Sequence, residues 1–87
     1  MSLAERIRER LAVLAPQKVE LTDESGQNVG HEGAKDGGSH FRLTIVSSAF
    51  AGLKPIDRHR RVYETLGPLM QREIHALAVR ALTPDEL

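Results

Sequence analysis

Eighty-seven residues, 40% hydrophobic and 28% charged, describe one small globular domain and exclude a disordered chain. Twelve basic and twelve acidic residues cancel, so no whole-molecule field draws the protein to nucleic acid, and only a local basic patch could do so. The absence of cysteine excludes disulfides, a thiol nucleophile and thiolate metal ligands, leaving histidine as the borderline ligand and carboxylates as the hard ones.

Residues 2–15 read as an amphipathic helix. Leu3, Ile7, Leu11 and Leu14 recur at spacings of four, four and three, which places them on one face. Ser2 with Glu5 has the form of a capping box, and Pro16 ends the helix. The N-terminus is charged throughout and lacks the apolar middle of a secretory signal. No apolar run is long enough for a membrane span. A cytoplasmic location is therefore expected.

Residues 18–23 alternate Val19 and Leu21 with Glu20 and Thr22, as a half-buried strand does. Residues 26–39 are polar and rich in glycine, and are expected to form a flexible loop flanked by the two strands of an antiparallel pair. The next strand is expected over 41–47, with Phe41, Leu43 and Ile45 on one side and Arg42, Thr44 and Val46 on the other. A short helical turn should surround Phe50, with Gly52 in a turn behind it. Pro55 opens a helix in which Ile56, Tyr63, Leu66 and Met70 are expected to face inward, with Val62 and Leu69 at the margin. Gly67-Pro68 should kink or split it. Residues 74–82 are apolar apart from His75 and Arg80, so a strand buried over much of its length is expected. Thr83-Pro84-Asp85-Glu86 has the composition of a helix start. The order αββααβα, with a three-stranded sheet and helices on one face, defines an α+β fold over a single domain of residues 1–87.

No catalytic constellation emerges. Ser47 and Ser48 lack the context of a nucleophile elbow, the acidic pairs 23–24 and 85–86 suit turns and caps, and no glycine loop would cradle phosphate. An enzyme is not expected. His75 at a strand start and His31 and His40 around the loop could converge at a sheet edge. Such a site would be incomplete, and the plain alternative is that each histidine is a surface or hydrogen-bonded residue. An independent zinc site is the weakest reading. Arg58-His59-Arg60-Arg61 is a compact basic run that could meet nucleic acid, although Asp57 before Arg61 and Glu64 after Arg60 are spaced to neutralise it. The element order is similar to a type II KH domain. Yet Gly52-Leu53-Lys54-Pro55 has no second glycine for the RNA-clamping turn of that fold.

Residues 39–86 carry a longer pattern: VSSAF at a strand end, Phe50-x-Gly52, RHR at 58–60, Val62-Tyr63, Ile74-His75-Ala76-Leu77 and Thr83-Pro84. In this order and spacing the chain resembles the BolA family over nearly its whole length. The resemblance implies a fold related to type II KH domains and partnership with a monothiol glutaredoxin, as a heterodimer formed from a chain that is monomeric alone. A [2Fe–2S] cluster is then shared. The glutaredoxin and glutathione supply sulfur, and the BolA protein supplies the histidine that corresponds to His75. The isolated chain would hold no cluster. A second ligand often comes from the first loop, but Asn28 stands where the family pattern places it. Either His31 takes that role or His75 serves alone. His40 corresponds to the histidine before the family's second strand and is expected to be more structural than ligating. The resemblance also implies an alternative role, transcriptional regulation in bacterial stress response and morphology, with Arg58, His59, Arg60 and Arg61 as the DNA-facing patch.

Overall fold

The structure, a computed structural model, describes residues 2–24 and 39–87. Helix α1 spans Leu3–Leu11. Its start is a complete capping box. The Ser2 hydroxyl accepts the Glu5 backbone N–H at 3.1 Å, and the Glu5 carboxylate accepts the Ser2 N–H at 3.2 Å. The Ser2 backbone N–H first, and then the Ser2 hydroxyl at 2.9 Å, donate to the Glu5 carboxylate and hold it below its ordinary range. The helix tightens into a 3₁₀ turn at Ala12–Leu14, and Ala15 then adopts a left-handed conformation (φ 48°) ahead of Pro16. The continuous helix expected over 2–15 thus ends earlier, because three residues of 3₁₀ geometry bring Leu14 onto the buried side.

Strand β1 is Lys18–Asp23 and β2 is Ser39–Val46. A 3₁₀ turn at Ser48–Phe50 follows, capped by the Ser47 hydroxyl, which accepts the Ala49 N–H. Helix α2 is Pro55–Leu66, α3 is Pro68–Arg72, and strand β3 is Ile74–Leu82. Gly67 separates the two helices at φ 54° and ψ −124°, a backbone region closed to most L-residues, so the glycine splits the helix that Pro68 alone would only have kinked.

β2 is the central strand of a three-stranded sheet. It pairs antiparallel with β1 and parallel with β3, the parallel return being made through α2 and α3. Alternation sends Phe41, Leu43 and Ile45 of β2 and Leu77 and Ala81 of β3 toward the helices, where they meet Ile7, Leu11, Val62, Leu66 and Leu69. Phe50, fully buried, closes the cluster from the turn after β2. The other parity leaves Lys18, Glu20, Thr22, Arg42, Ala76, Ala78 and Arg80 exposed on a sheet face that none of the described helices covers. This is the α+β arrangement expected from the element order.

Two burial expectations are corrected. On α2 the inward stripe is Val62 and Leu66, while Ile56 is 57% and Tyr63 40% exposed. The reason is Arg58, one turn before Val62 on the same stripe. Its side chain is only 12% exposed and occupies the place an apolar residue would take. β3 is buried at Ile74, Leu77 and Ala81 rather than over most of its length, because it lies at the sheet edge with one face open.

Arg58 donates to the carbonyls of Leu53 (2.9 Å) and Ala81 (3.0 Å) and forks onto both carboxylate oxygens of Glu86 (2.6 and 3.0 Å). Glu86 belongs to the C-terminal 3₁₀ turn Pro84–Glu86, whose capping box with Thr83 it completes. The Arg58 fork, with help from the Thr83 N–H, holds the Glu86 carboxyl at about 2 against an ordinary 4.5. Above pH 4.5 the group is ionised in folded and unfolded chains alike, and its stabilisation is complete. As pH falls from 4.5 toward 2 the unfolded chain takes up a proton that the folded chain resists, and the contribution drains away. The C-terminal turn is expected to detach over that window, read as chemical-shift changes at Thr83–Glu86 that are absent in Glu86→Gln.

Candidate functional site

The parallel ladder between β2 and β3 contains one irregularity. Ser39 faces Ile74, but His40 faces Ala76, so His75 is an extra residue with no partner opposite it. The bulge resets the alternation of β3. Ile74 and Leu77 both enter the core although three positions apart, and His75 and Ala76 between them are both exposed. Bulges re-aim side chains, and here the effect falls on the histidine that the sequence singles out.

His40 opens the central strand with the parity of Arg42 and Thr44, away from the buried Phe41. Its backbone is fixed from two sides. Its carbonyl accepts the Glu24 N–H at 2.7 Å, and it pairs with Ala76 across the ladder. Arg42 ties the Glu24 side chain to the same end of the sheet at 3.0 Å. The result is two imidazoles side by side: the rings of His40 and His75 are 5.2 Å apart between centroids and inclined by 30°. Among the described residues no group of three or more His, Asp or Glu side chains is placed to hold a metal ion. The sheet end therefore carries two imidazoles, donors of borderline softness that by themselves fall short of a full coordination shell.

His31 and Asn28 lie outside the described residues, as does most of the loop expected over 26–39. His59 lies on α2 and approaches Tyr63 one turn later, with rings 6.5 Å apart, rather than the histidine pair. The basic run divides. Arg58 turns inward into the fork with Glu86, while Arg60 and Arg61 are exposed. Neither expected pair, Asp57 with Arg61 or Glu64 with Arg60, is among the ion pairs formed between described residues. Ser47 is fully buried and its hydroxyl donates to the Leu14 carbonyl, which makes it a strut between α1's trailing turn and the sheet. No helix among the described residues is long and apolar enough to cross a membrane.

Residues 11–86 match the family described as BolA-like protein. The chain belongs to the BolA family. BolA-like protein 1 of Mus musculus is 43% identical over 84% of this chain, which spans about half (51%) of that relative's length. The DNA-binding transcriptional regulator BolA of Vibrio cholerae is 39% identical over 82% of this chain and 64% of its own. The solved BolA domain of SufE1 from Arabidopsis thaliana superposes with a TM-score of 0.85 at 39% identity, covering 100% of this chain and 99% of that one. The BolA fold expected from the motifs is thus the fold observed. The sequence allows His75 to converge with a histidine flanking the loop, and the structure sets His40 beside it. The parity of His40 with Arg42 was a usable signal for its face; the parallel register and the bulge that bring His75 beside it were not visible in the sequence.

Proposed function

We propose that this BolA-family protein is a non-enzymatic adaptor in iron–sulfur cluster assembly or trafficking, acting as a heterodimer with a monothiol glutaredoxin. One observation carries the reading: His75, lifted by a bulge onto the open sheet face, stands beside a second imidazole with no third ligand among the described residues. Such a half-site suits a metal centre completed by another molecule, and it suits poorly an ion held by this chain alone with high affinity. The donor set fits a shared [2Fe–2S] cluster. His75 would hold it from this side, and sulfur from the partner and from glutathione would complete it. Histidine in place of cysteine gives such a cluster a higher reduction potential. The exposure of His75 leaves room for a partner to approach. The mixture of this protein, a monothiol glutaredoxin, glutathione, iron and sulfide is expected to show a visible circular dichroism spectrum that His75→Ala alters. An unchanged spectrum in that variant would remove His75 from the site. Failure of the wild type to form a shared cluster would end the adaptor reading.

A second reading, a DNA-binding regulator, is favoured by the exposed Arg60 and Arg61, which form no ion pair with a described carboxylate. It is also the role named for the Vibrio relative. Binding by the protein alone, weakened in Arg60→Ala/Arg61→Ala and steeply dependent on salt, is the expected result if this role holds.

A further inference from the structure

We propose that the cleft between α1 and α3 is a binding site for a small organic carboxylate that carries an apolar body. The site lies on the helix side of the fold and uses neither the histidine pair nor the basic run of α2. It stands independently of the adaptor reading.

Its walls follow from helical spacing. Arg6 and Arg10 are one turn apart on α1, and each precedes a fully buried residue, Ile7 and Leu11, so both side chains flank the apolar stripe. Arg6 reaches across to Glu73, just beyond α3, with a two-pronged ion pair of 2.6 and 3.0 Å. Arg10 reaches the junction of α2 and α3, where a methyl group at Gly67 would lie 3.6 Å from its Nη1. These two contacts clasp α3 at both ends, and Arg72 joins them from the last turn of that helix. Between them lies a cleft of about 520 Å³, within the range of small-molecule sites. The Arg6–Glu73 pair fixes one wall in advance, which lowers the ordering cost of binding.

Charge sets the sign of the ligand. Three arginines and two glutamates line the cleft, which leaves an excess of one positive charge in a chain whose total is zero. Glu73 is committed to Arg6, whereas Arg10 and Arg72 form no ion pair with a described carboxylate. One carboxylate cancels the excess, and its two oxygens suit the planar fork of a guanidinium. A phosphate monoester, with roughly two negative charges at neutral pH, would exceed it.

The lining sets the rest of the ligand. Pro68 and Leu69 reach the cleft, Leu69 from the core itself, and the arginine stems add methylene surface. No aromatic ring lines the cleft, so nothing there stacks a nucleobase. A body of several carbons covers this apolar floor, which a bare ion leaves wet.

A titration of the full chain with benzoate, followed by backbone amide NMR, decides the matter. Signals of residues 6–10 and 69–73 are expected to move together, while those of 58–62 stay in place. Benzamide has the shape without the charge and acetate the charge without the ring; each should bind more weakly, as should inorganic phosphate. Arg10→Gln and Arg72→Gln should each weaken benzoate binding about fivefold, the scale of one partly exposed charge pair. Arg60→Ala/Arg61→Ala should leave it as in wild type. Both glutamine changes fall on exposed side chains, so the fold should survive them, and the wild-type NMR readout stands in any case. The proposal is overturned if benzoate leaves residues 6–10 and 69–73 unmoved, or if benzamide or phosphate binds as tightly as benzoate. It is also overturned if the Arg60/Arg61 variant loses as much affinity as Arg10→Gln.

Discussion

Phe50→Ala is expected to lower stability by about 3–5 kcal/mol, the range for removing a buried aromatic ring. A domain of this length has roughly 4–13 kcal/mol in total, so the variant should be largely or wholly unfolded at elevated temperature. Phe50 is the largest side chain with no exposed surface, and the chain has few aromatics to share its work. It is also carried by a single 3₁₀ turn, Ser48–Phe50, whose geometry depends on the buried Ser47. Removing the ring empties the point where the end of β2 turns toward α2. The cavity should therefore loosen the entry of α2 as well as the core. Phe50→Leu, which keeps an apolar group of similar reach, should cost less than half as much. Urea unfolding of the three proteins gives the comparison. A Phe50→Ala variant as stable as wild type would mean that the turn is not a part of the cooperative unit.

Much of this architecture is legible in the residues. The bounds of β1 and β3 coincide with the runs of alternating and apolar residues that announce them, and Ser2-x-x-Glu5 and Thr83-x-x-Glu86 mark real capping boxes. Local chemistry fixes these features, so local reading finds them. The misses have a common cause, which is pairing at a distance. Arg58 looks like a surface cation in a basic run because its partners, Ala81 and Glu86, lie more than twenty residues away. With Arg58 on the inward stripe, Val62 and Leu66 follow it into the core and Ile56 and Tyr63 rotate outward. His40 likewise looks structural until β3 returns parallel to β2 and a bulge sets His75 beside it. The sequence names His75, but its neighbour is set by register, and register is a property of the whole sheet.

The two faces of the sheet consequently have different tasks. The helix-covered face holds nearly all the buried apolar residues and accounts for stability. The open face carries the histidine pair, and the buried Val46 shares its parity only at the far end of β2, so substitutions near the pair should change binding with little loss of fold. The edge strand β3 joins the two. Its Leu77 and Ala81 carbonyls are reached by Tyr63 (3.4 Å) and Arg58 (3.0 Å), which occupies backbone acceptors that an exposed edge would otherwise offer to another strand.

Arg58→Ala should therefore behave as a structural lesion, with a melting temperature well below that of Arg60→Ala, an exposed change expected to stay within about 0.5 kcal/mol of wild type. The substitution strips the Leu53 and Ala81 carbonyls of a donor in a partly buried setting, and it leaves the Glu86 carboxylate without the fork that aligns it. Arg58→Lys should recover only part of the loss, because one ammonium cannot reproduce a planar fork shared among two carbonyls and both oxygens of a carboxylate. In Arg58→Ala the acid-sensitive step between pH 4.5 and 2 should shrink at the C-terminal turn, since the largest cause of the Glu86 shift is gone and the Thr83 contacts alone remain. The consequence for function is direct. Loss of nucleic-acid binding in Arg58→Ala would report a disturbed α2 and C-terminal turn rather than a lost phosphate contact. Only Arg60 and Arg61, which support no internal bond from their side chains, can separate contact from collapse. Thermal melts of Arg58→Ala, Arg58→Lys and Arg60→Ala measured together provide the check, and equal melting temperatures for the two alanine variants would return Arg58 to the surface.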